Sequence, residues 1–379
     1  MTSIKIVTFH RTNSYGALLQ AYSLHHFLSN LGHDVQFIDY STRNKTQYEP
    51  FMEFTDEYLP KTVRIDTFDE LEQIKADILI CGSDQIWNLD ITLSENPESN
   101  WDFYFLNFGG SDIKRVSYAA SSGGIDIPEK FRDKAKHALS RLDHISVREK
   151  QTRDIVSNLT NKDIDLVLDP VFLTEKFPIK KPEIELPEKY IALISMQRNA
   201  ELYEIVKTVK KQYNLPVVVS DYSQSKCPIA DVHLPVIRPD EWLYYIKNSE
   251  FICTNSFHAL SFALKFQKQF LAIPLFKPSY RQGLYRRIVE YIYRFELDNL
   301  LSFFVKRPLK RGVKRNKLNK KMCRIEEVLT FAGLESRIAM DQLSLDRSFE
   351  KIDYNKVEEK LLDAKVNSRA YLENIIKVL

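Results

Sequence analysis

The sequence predicts an α/β protein of two Rossmann-like domains facing across a cleft, and three observations predict it. Short apolar runs alternate with stretches of helical period from Ile4 onward, the pattern of parallel βα units. Each run turns polar at its carboxyl end, the edge on which open parallel sheets hold ligands. Pro178, Pro182 and Pro187 then separate one set of runs from a second, in a chain of 379 residues. One core usually stops growing near 250–300 residues, roughly, so two domains are expected.

The first domain is read over 1–178. Residues 4–9 form its first strand, followed by a polar turn over 10–16 and an amphipathic helix over 17–31. Residues 34–40 make the second strand, and the polar, aromatic stretch 41–67 reads as an irregular excursion with short helices. Strands over 77–80, 115–119, 144–147 and 165–168 run into polar ends at 81–88, 120–124, 148–150 and 169–170. In the second domain, read over 188–350, the strands are 190–195, 216–220, 250–253 and 269–273. Residues 351–379 close the chain as one amphipathic helix, with Val357, Leu361, Leu362, Val366, Leu372 and Ile376 on its apolar face.

Composition narrows the chemistry. Hydrophobic residues make up 44%, with 19 Tyr and 23 Phe, which is ample for two cores. There are only ten glycines and neither GxGxxG nor GxxxxGK[ST], which excludes dinucleotide and P-loop phosphate binding of the usual kind. Cys81, Cys227, Cys253 and Cys323 lie far apart and read as buried thiols, without disulfides or a zinc site. The eight histidines show no ligand spacing, and Asp163 and Asp165 precede a strand end rather than occupying it, so no metal is expected. The first residues enter a strand without a signal-peptide layout, and no apolar run approaches the roughly eighteen residues of a spanning helix. The expected location is the cytoplasm.

One segment breaks the alternation. Residues 277–324 carry fifteen Lys or Arg against Glu290, Glu296 and Asp298, a local +12 in a chain of net +3 that leaves −9 elsewhere. Leu284, Ile288, Ile292 and Phe295 recur at helical steps, with Arg286, Arg287 and Arg294 on the other side. Residues 281–323 read either as a basic amphipathic insertion for an anionic surface at the inner face of the cell membrane, or as a solvated insertion packed on its own domain. Nucleic acid is not an expected partner, because the charge is local and no recognition motif accompanies it.

The most chemically suggestive stretch is 250–260. A buried strand gives way to Thr254, Asn255 and Ser256, and then to apolar residues at helical spacing. That is a capping signature, and it sets His258 in a first helical turn at the positive end of the dipole. An imidazole there can move a proton for an anionic ligand, or it can simply cap or pack. Arg148, also at a strand end, can grip a carboxylate or phosphate through two N–H groups, or form a structural ion pair. Asp84, Gln85 and Trp87 suit a sugar, offering hydroxyl partners and an aromatic face; equally, Trp87 can be core and Asp84 a helix cap. Asn13 and Tyr15 carry the same two readings, and the helix starting near Gly16 offers N–H groups to an anion.

Several of these blocks, taken in order, resemble the polysaccharide pyruvyl transferase family. They are Asn13-Ser14-Tyr15-Gly16 opening 13–22, Gly82-Ser83-Asp84-Gln85-Ile86-Trp87-Asn88, Ser117-Tyr118-Ala119-Ala120-Ser121, Ser146-Val147-Arg148-Glu149-Lys150, Leu168-Asp169-Pro170-Val171 and Thr254-Asn255-Ser256-Phe257-His258. Arg324-Ile325, the stretch 332–337 and the tail from Ile352 follow the same resemblance. It implies a GT-B-like pair of domains and transfer of the enolpyruvyl group of phosphoenolpyruvate onto sugar hydroxyls of a cell-surface or exopolysaccharide. A ketal forms and phosphate leaves. It implies no cofactor beyond that donor substrate, and a glycan acceptor, free or lipid-linked. The family's catalytic histidine falls on His258 and one of its anion-binding arginines on Arg148. Asn13, Tyr15, Gly16, Ser83, Asp84, Gln85, Trp87, Ser121, Asn255, Ser256 and Arg324 are the expected substrate-binding residues.

Two departures accompany the resemblance. Members with an Arg-Leu-His signature have arginine where Ser256 stands, and many have glycine where Ala259 stands. Arg324 is the residue expected to compensate, where the fold brings it across. Two other functions fit the same chain: a nucleotide-sugar glycosyltransferase on the same fold, and a catalytically lapsed, membrane-docked partner in polysaccharide assembly.

Overall fold

A computed structural model describes residues 1–40, 48–95, 101–198, 200–220, 227–273, 323–339, 345–346 and 349–377. The chain divides into two compact units, Met1–Pro178 with Glu359–Leu379, and Ile179–Glu358. The basic stretch 281–322, on which the membrane-surface reading rests, lies outside the described residues.

In the first unit, β1 (Ser3–Val7) leads through α1 (Tyr15–Asn30) to β2 (Asp34–Phe37). Then come α2 (Glu49–Tyr58), α3 (Phe68–Glu72), β3 (Ile78–Cys81), α4 (Leu89–Glu95) and β4 (Lys114–Ser117). The unit continues with α5 (Glu129–Ser140), β5 (Ile145–Val147), α6 (Lys150–Ser157) and β6 (Ile164–Leu166). The sheet order is β2-β1-β3-β4, all parallel. Parallel bridges Val116–His144 and Ala120–Val147 carry that order on to the β5-β6 pair.

The second unit holds β7 (Ile191–Ile194), α7 (Ala200–Tyr213), β8 (Val217–Ser220), β9 (Val232–Leu234), α8 (Pro239–Asn248), β10 (Phe251–Thr254), α9 (Phe257–Lys265) and β11 (Gln269–Ala272). α10 (Cys323–Ala332) and α11 (Tyr354–Lys377) follow. The order β11-β10-β7-β8-β9 is again all parallel. β3, β7, β8 and β10 are buried along their whole length, which is why they read as unbroken apolar runs: parallel strands are covered on both faces.

The elements begin where polar side chains replace the missing turns. Ser14 Oγ accepts from Ala17 N at the start of α1, and Thr67 with Glu70 forms a full capping box on α3. From Glu359 onward α11 belongs to the first unit, where Ser368 Oγ accepts from Leu168 N at 2.8 Å and the Tyr371 hydroxyl donates to Ser117 O at 3.0 Å. The expected first strand is shorter than 4–9, because Thr8 turns its hydroxyl onto Ser83 O at 3.0 Å. β9, three residues with an exposed histidine at its centre, carried no periodicity to find it by.

Candidate functional site

Each sheet has a point where the strand order reverses: between β1 and β3 in the first unit, and between β7 and β10 in the second. Ligands of open α/β sheets bind outside the carboxyl ends of the strands at such points.

In the second unit, β10 ends at Thr254, whose hydroxyl donates to Ile194 O of β7 at 2.8 Å and accepts from Ser256 N at 2.9 Å. Asn255 spans the reversal: Oδ1 accepts from Met196 N at 2.6 Å and Nδ2 donates to Gln197 O at 2.8 Å. Both ends of its carboxamide are therefore committed to holding the end of β7. Ser256 is the N-cap of α9, its hydroxyl accepting from Ala259 N at 3.4 Å. His258 follows in the first turn, 9% exposed, its ring edge-on to Phe257 at 5.2 Å. Arg324, at the start of α10 and half-buried, places its guanidinium 5.8 Å from the centre of the Phe257 ring. The fold thus brings His258 and Arg324 to the same turn, although a stretch of over fifty residues separates them in sequence.

The first unit gathers a different cluster on its carboxyl edge. Arg148 is buried, with Nη1 donating to Asp169 at 2.6 Å, Nε donating to Glu149 at 3.0 Å, and Asp84 3.7 Å from Nη2. Burial alone would depress the guanidinium pKa, but the three carboxylates outweigh it and leave the pKa raised. Ser83 Oγ donates to Asp169 at 3.2 Å, Ser121 Oγ to Glu149 at 2.9 Å and Thr152 Oγ1 to Glu149 at 2.9 Å. Ser83 N donates to Gln20 Oε1 at 3.1 Å, and Gln20 Nε2 to Thr8 Oγ1 at 3.0 Å, so this sheet's reversal is closed by its own side chains.

The geometry gives the expected site residues of this unit the following surroundings. Arg148 does not present an open fork to an anion; its N–H groups meet carboxylates, and three negative groups around one positive repel a second anion. Trp87 is 1% exposed, donates to Tyr104 O at 3.0 Å and stacks on Phe105 at 5.0 Å, so its face is core and not a sugar platform. Ser83 and Ser121 are wholly buried members of the Arg148 network. The Tyr15 ring packs on Phe51 at 4.8 Å, Gly16 is buried in α1, and Asn13 Oδ1 accepts from Tyr48 N at 2.8 Å. Asp84 adopts a left-handed φ of 73°, a conformation aspartate tolerates better than most residues, and faces Arg148. Gln85 is half-buried.

Glu149 and Asp169 lie in stretches read as polar strand ends, but neither they nor Gln20 were expected as site residues. The signal existed for two of them, since Glu149 and Asp169 stand within three residues of the ends of β5 and β6, as Asp84 does of β3.

The model of the family described as polysaccharide pyruvyl transferase matches residues 15–275, more than half of the chain. No curated protein matches the sequence. Among solved structures, the chain is similar to UDP-GlcNAc 2-epimerase from Methanocaldococcus jannaschii, at 15% identity and TM-score 0.46 over 87% of this chain and 99% of that one. It is similar to Acinetobacter baumannii MurG at 11% and 0.45 over 99% of each, and to the S. aureus MnaA–UDP co-structure at 11% and 0.47 over 80% and 97%. Likeness of that degree carries no donor or chemistry across. The extent of the family match is decisive: the chain belongs to the polysaccharide pyruvyl transferase family.

Proposed function

We propose that this transferase moves the enolpyruvyl group of phosphoenolpyruvate onto two hydroxyls of a glycan. The observation that carries the reading is His258 in the first turn of α9, at the strand reversal, with Arg324 over the neighbouring ring. The amide groups and positive end of α9 suit a small, highly charged anion, and Arg324 adds a permanent cation.

In this mechanism His258 gives a proton to C3 of the enol phosphate, which makes C2 electrophilic. One acceptor hydroxyl adds to C2, the C2–O bond to phosphate breaks, and a second hydroxyl closes the ketal. Of the two hydroxyl protons, one restores His258 and the other leaves with phosphate. Fixed donors at the anion stabilise the departing charge without reorganising. Arg148 acts at a distance, by holding the strand ends of its own unit. We further propose that the acceptor is lipid-linked and that the basic stretch 281–323 meets an anionic membrane by charge; among the described residues no helix is long and apolar enough to cross one.

The test is to incubate the purified chain with phosphoenolpyruvate and a lipid-linked glycan pool. A mass gain of pyruvate less water, matched by released phosphate, is the expected result. A hexose-sized gain from UDP- or GDP-sugars, with none from phosphoenolpyruvate, would replace this reading by the glycosyltransferase one.

A further inference from the structure

Two glycines on the carboxyl edge of the first unit's sheet lie under two carboxamides. A Cβ on Gly123 would fall 2.1 Å from Gln85 Oε1, and one on Gly124 would fall 2.4 Å from Gln151 Oε1. Both glycines have left-handed φ, 61° and 75°, so the turn is bare of side chains where the amides cross it. Asn88, 3% exposed, fixes the orientation of Gln85: its Oδ1 accepts from Asp90 N at 3.1 Å, which leaves its Nδ2 to donate to Gln85 Oε1 at 3.2 Å. Gln85 Nε2 then donates to no atom among the described residues. Gln151 Nε2 donates to Gly124 O at 3.4 Å, while its buried Oε1 accepts from nothing among them. One unused donor and one unused acceptor therefore stand over adjoining residues of a single turn. A buried acceptor left without a donor costs about 1–3 kcal/mol.

We infer that Gln85 and Gln151, set over Gly123-Gly124, form a subsite for a neutral sugar ring, the glycan acceptor of the reaction proposed above, and the inference rests on that reading for its place in the reaction. A hydroxyl is the group that both accepts and donates, so paired carboxamides match vicinal hydroxyls where charged side chains would select ions. The cluster itself contains no ionised group, and the nearby charges of Asp84, Arg148 and Glu149 are spent on one another. This also supplies a hydroxyl-reading surface, which the buried Trp87 does not.

Saturation-transfer NMR on the full chain, without phosphoenolpyruvate, tests it with methyl β-D-galactopyranoside, methyl β-D-glucopyranoside and methyl α-D-mannopyranoside as probes. At least one should receive saturation, and Gln85→Met or Gln151→Met should each weaken its binding about tenfold, the equivalent of one lost hydrogen bond. Gly123→Ala, which displaces Gln85, should do the same. Unchanged binding in the folded Gln85→Met/Gln151→Met variant overturns the site, as does an absence of saturation for all three glycosides on the wild-type chain. Should a variant fail to fold, Gln85→Glu, which keeps the shape and removes the donor, gives the same reading. Sugar binding here with no pyruvyl transfer would refute the proposed reaction and leave the subsite standing.

Discussion

Arg148 and Asp169 share a 2.6 Å hydrogen-bonded ion pair in which the carboxylate oxygen also accepts from Ser83, so one buried atom ties together the polar ends of β3, β5 and β6. A fully buried cation ringed by three acids is costly to disturb from either side, because removing one partner strands the others without water.

Arg148→Met should therefore lower stability by about 3–5 kcal/mol, read as a shift of the urea midpoint. In whatever folds at low temperature, phosphoenolpyruvate affinity should stay within about threefold of wild type, since roughly 1.4 kcal/mol would be needed for tenfold. Intact stability with a hundredfold loss of donor affinity would return Arg148 to the anion site.

His258→Ala should lower kcat by about 10²–10⁴, the usual contribution of one positioned acid–base group. Its effect on phosphoenolpyruvate binding, followed by thermal shift, should be small, because the helix amides and Arg324 remain. Near-normal turnover would take His258 out of the proton transfer.

His25 gives a pH dependence of known sign. Burial on α1, opposed by a backbone hydrogen bond at Val35 and aided by His26, lowers its pKa from 6.5 to about 4. The unfolded chain takes up that proton first, so the stability is whole above pH 6.5 and is lost as pH falls toward about 4. The loss from this group is on the order of 2–3 kcal/mol. Denaturation midpoints measured across that window should fall less steeply in His25→Gln than in wild type; parallel curves would assign the acid limb to other groups.

Deleting residues 284–321 should abolish co-sedimentation with vesicles containing anionic lipid at low salt, since the remaining chain carries net negative charge. Equal binding by the deleted chain would end the membrane proposal.

The sequence made every strand but β9 legible, with the polar ends, most clearly where strands covered on both faces leave unbroken apolar runs that stop abruptly. It also placed His258 in a capped first turn, since Thr254 and Ser256 act through local hydrogen bonds. What it hid was pairing at a distance. Arg148 reads alike as an anion clamp or an ion pair until Asp169, twenty-one residues on, is seen against it. Trp87 reads alike as platform or core until Phe105 and Tyr104 close over it. Gln151 gave no signal, because its acceptor matters only through the glycine it crosses.

Arg324 offers the sharpest separation of binding from chemistry. Its guanidinium stands over Phe257, one residue before His258, so it can meet an anion at the start of α9 without touching the proton that moves. Replacing a charge-assisted contact of this kind costs about 1.5–3 kcal/mol. Arg324→Ala should therefore raise the KM for phosphoenolpyruvate by roughly ten- to a hundredfold while kcat falls far less, the pattern of binding shared by ground and transition states. Arg324→Lys keeps the charge but loses the planar fork, and should recover the affinity only incompletely. Steady-state kinetics of both variants decides the matter: a fall in kcat at unchanged KM would place Arg324 in the proton-transfer step beside His258, and no change in either constant would remove it from the donor site.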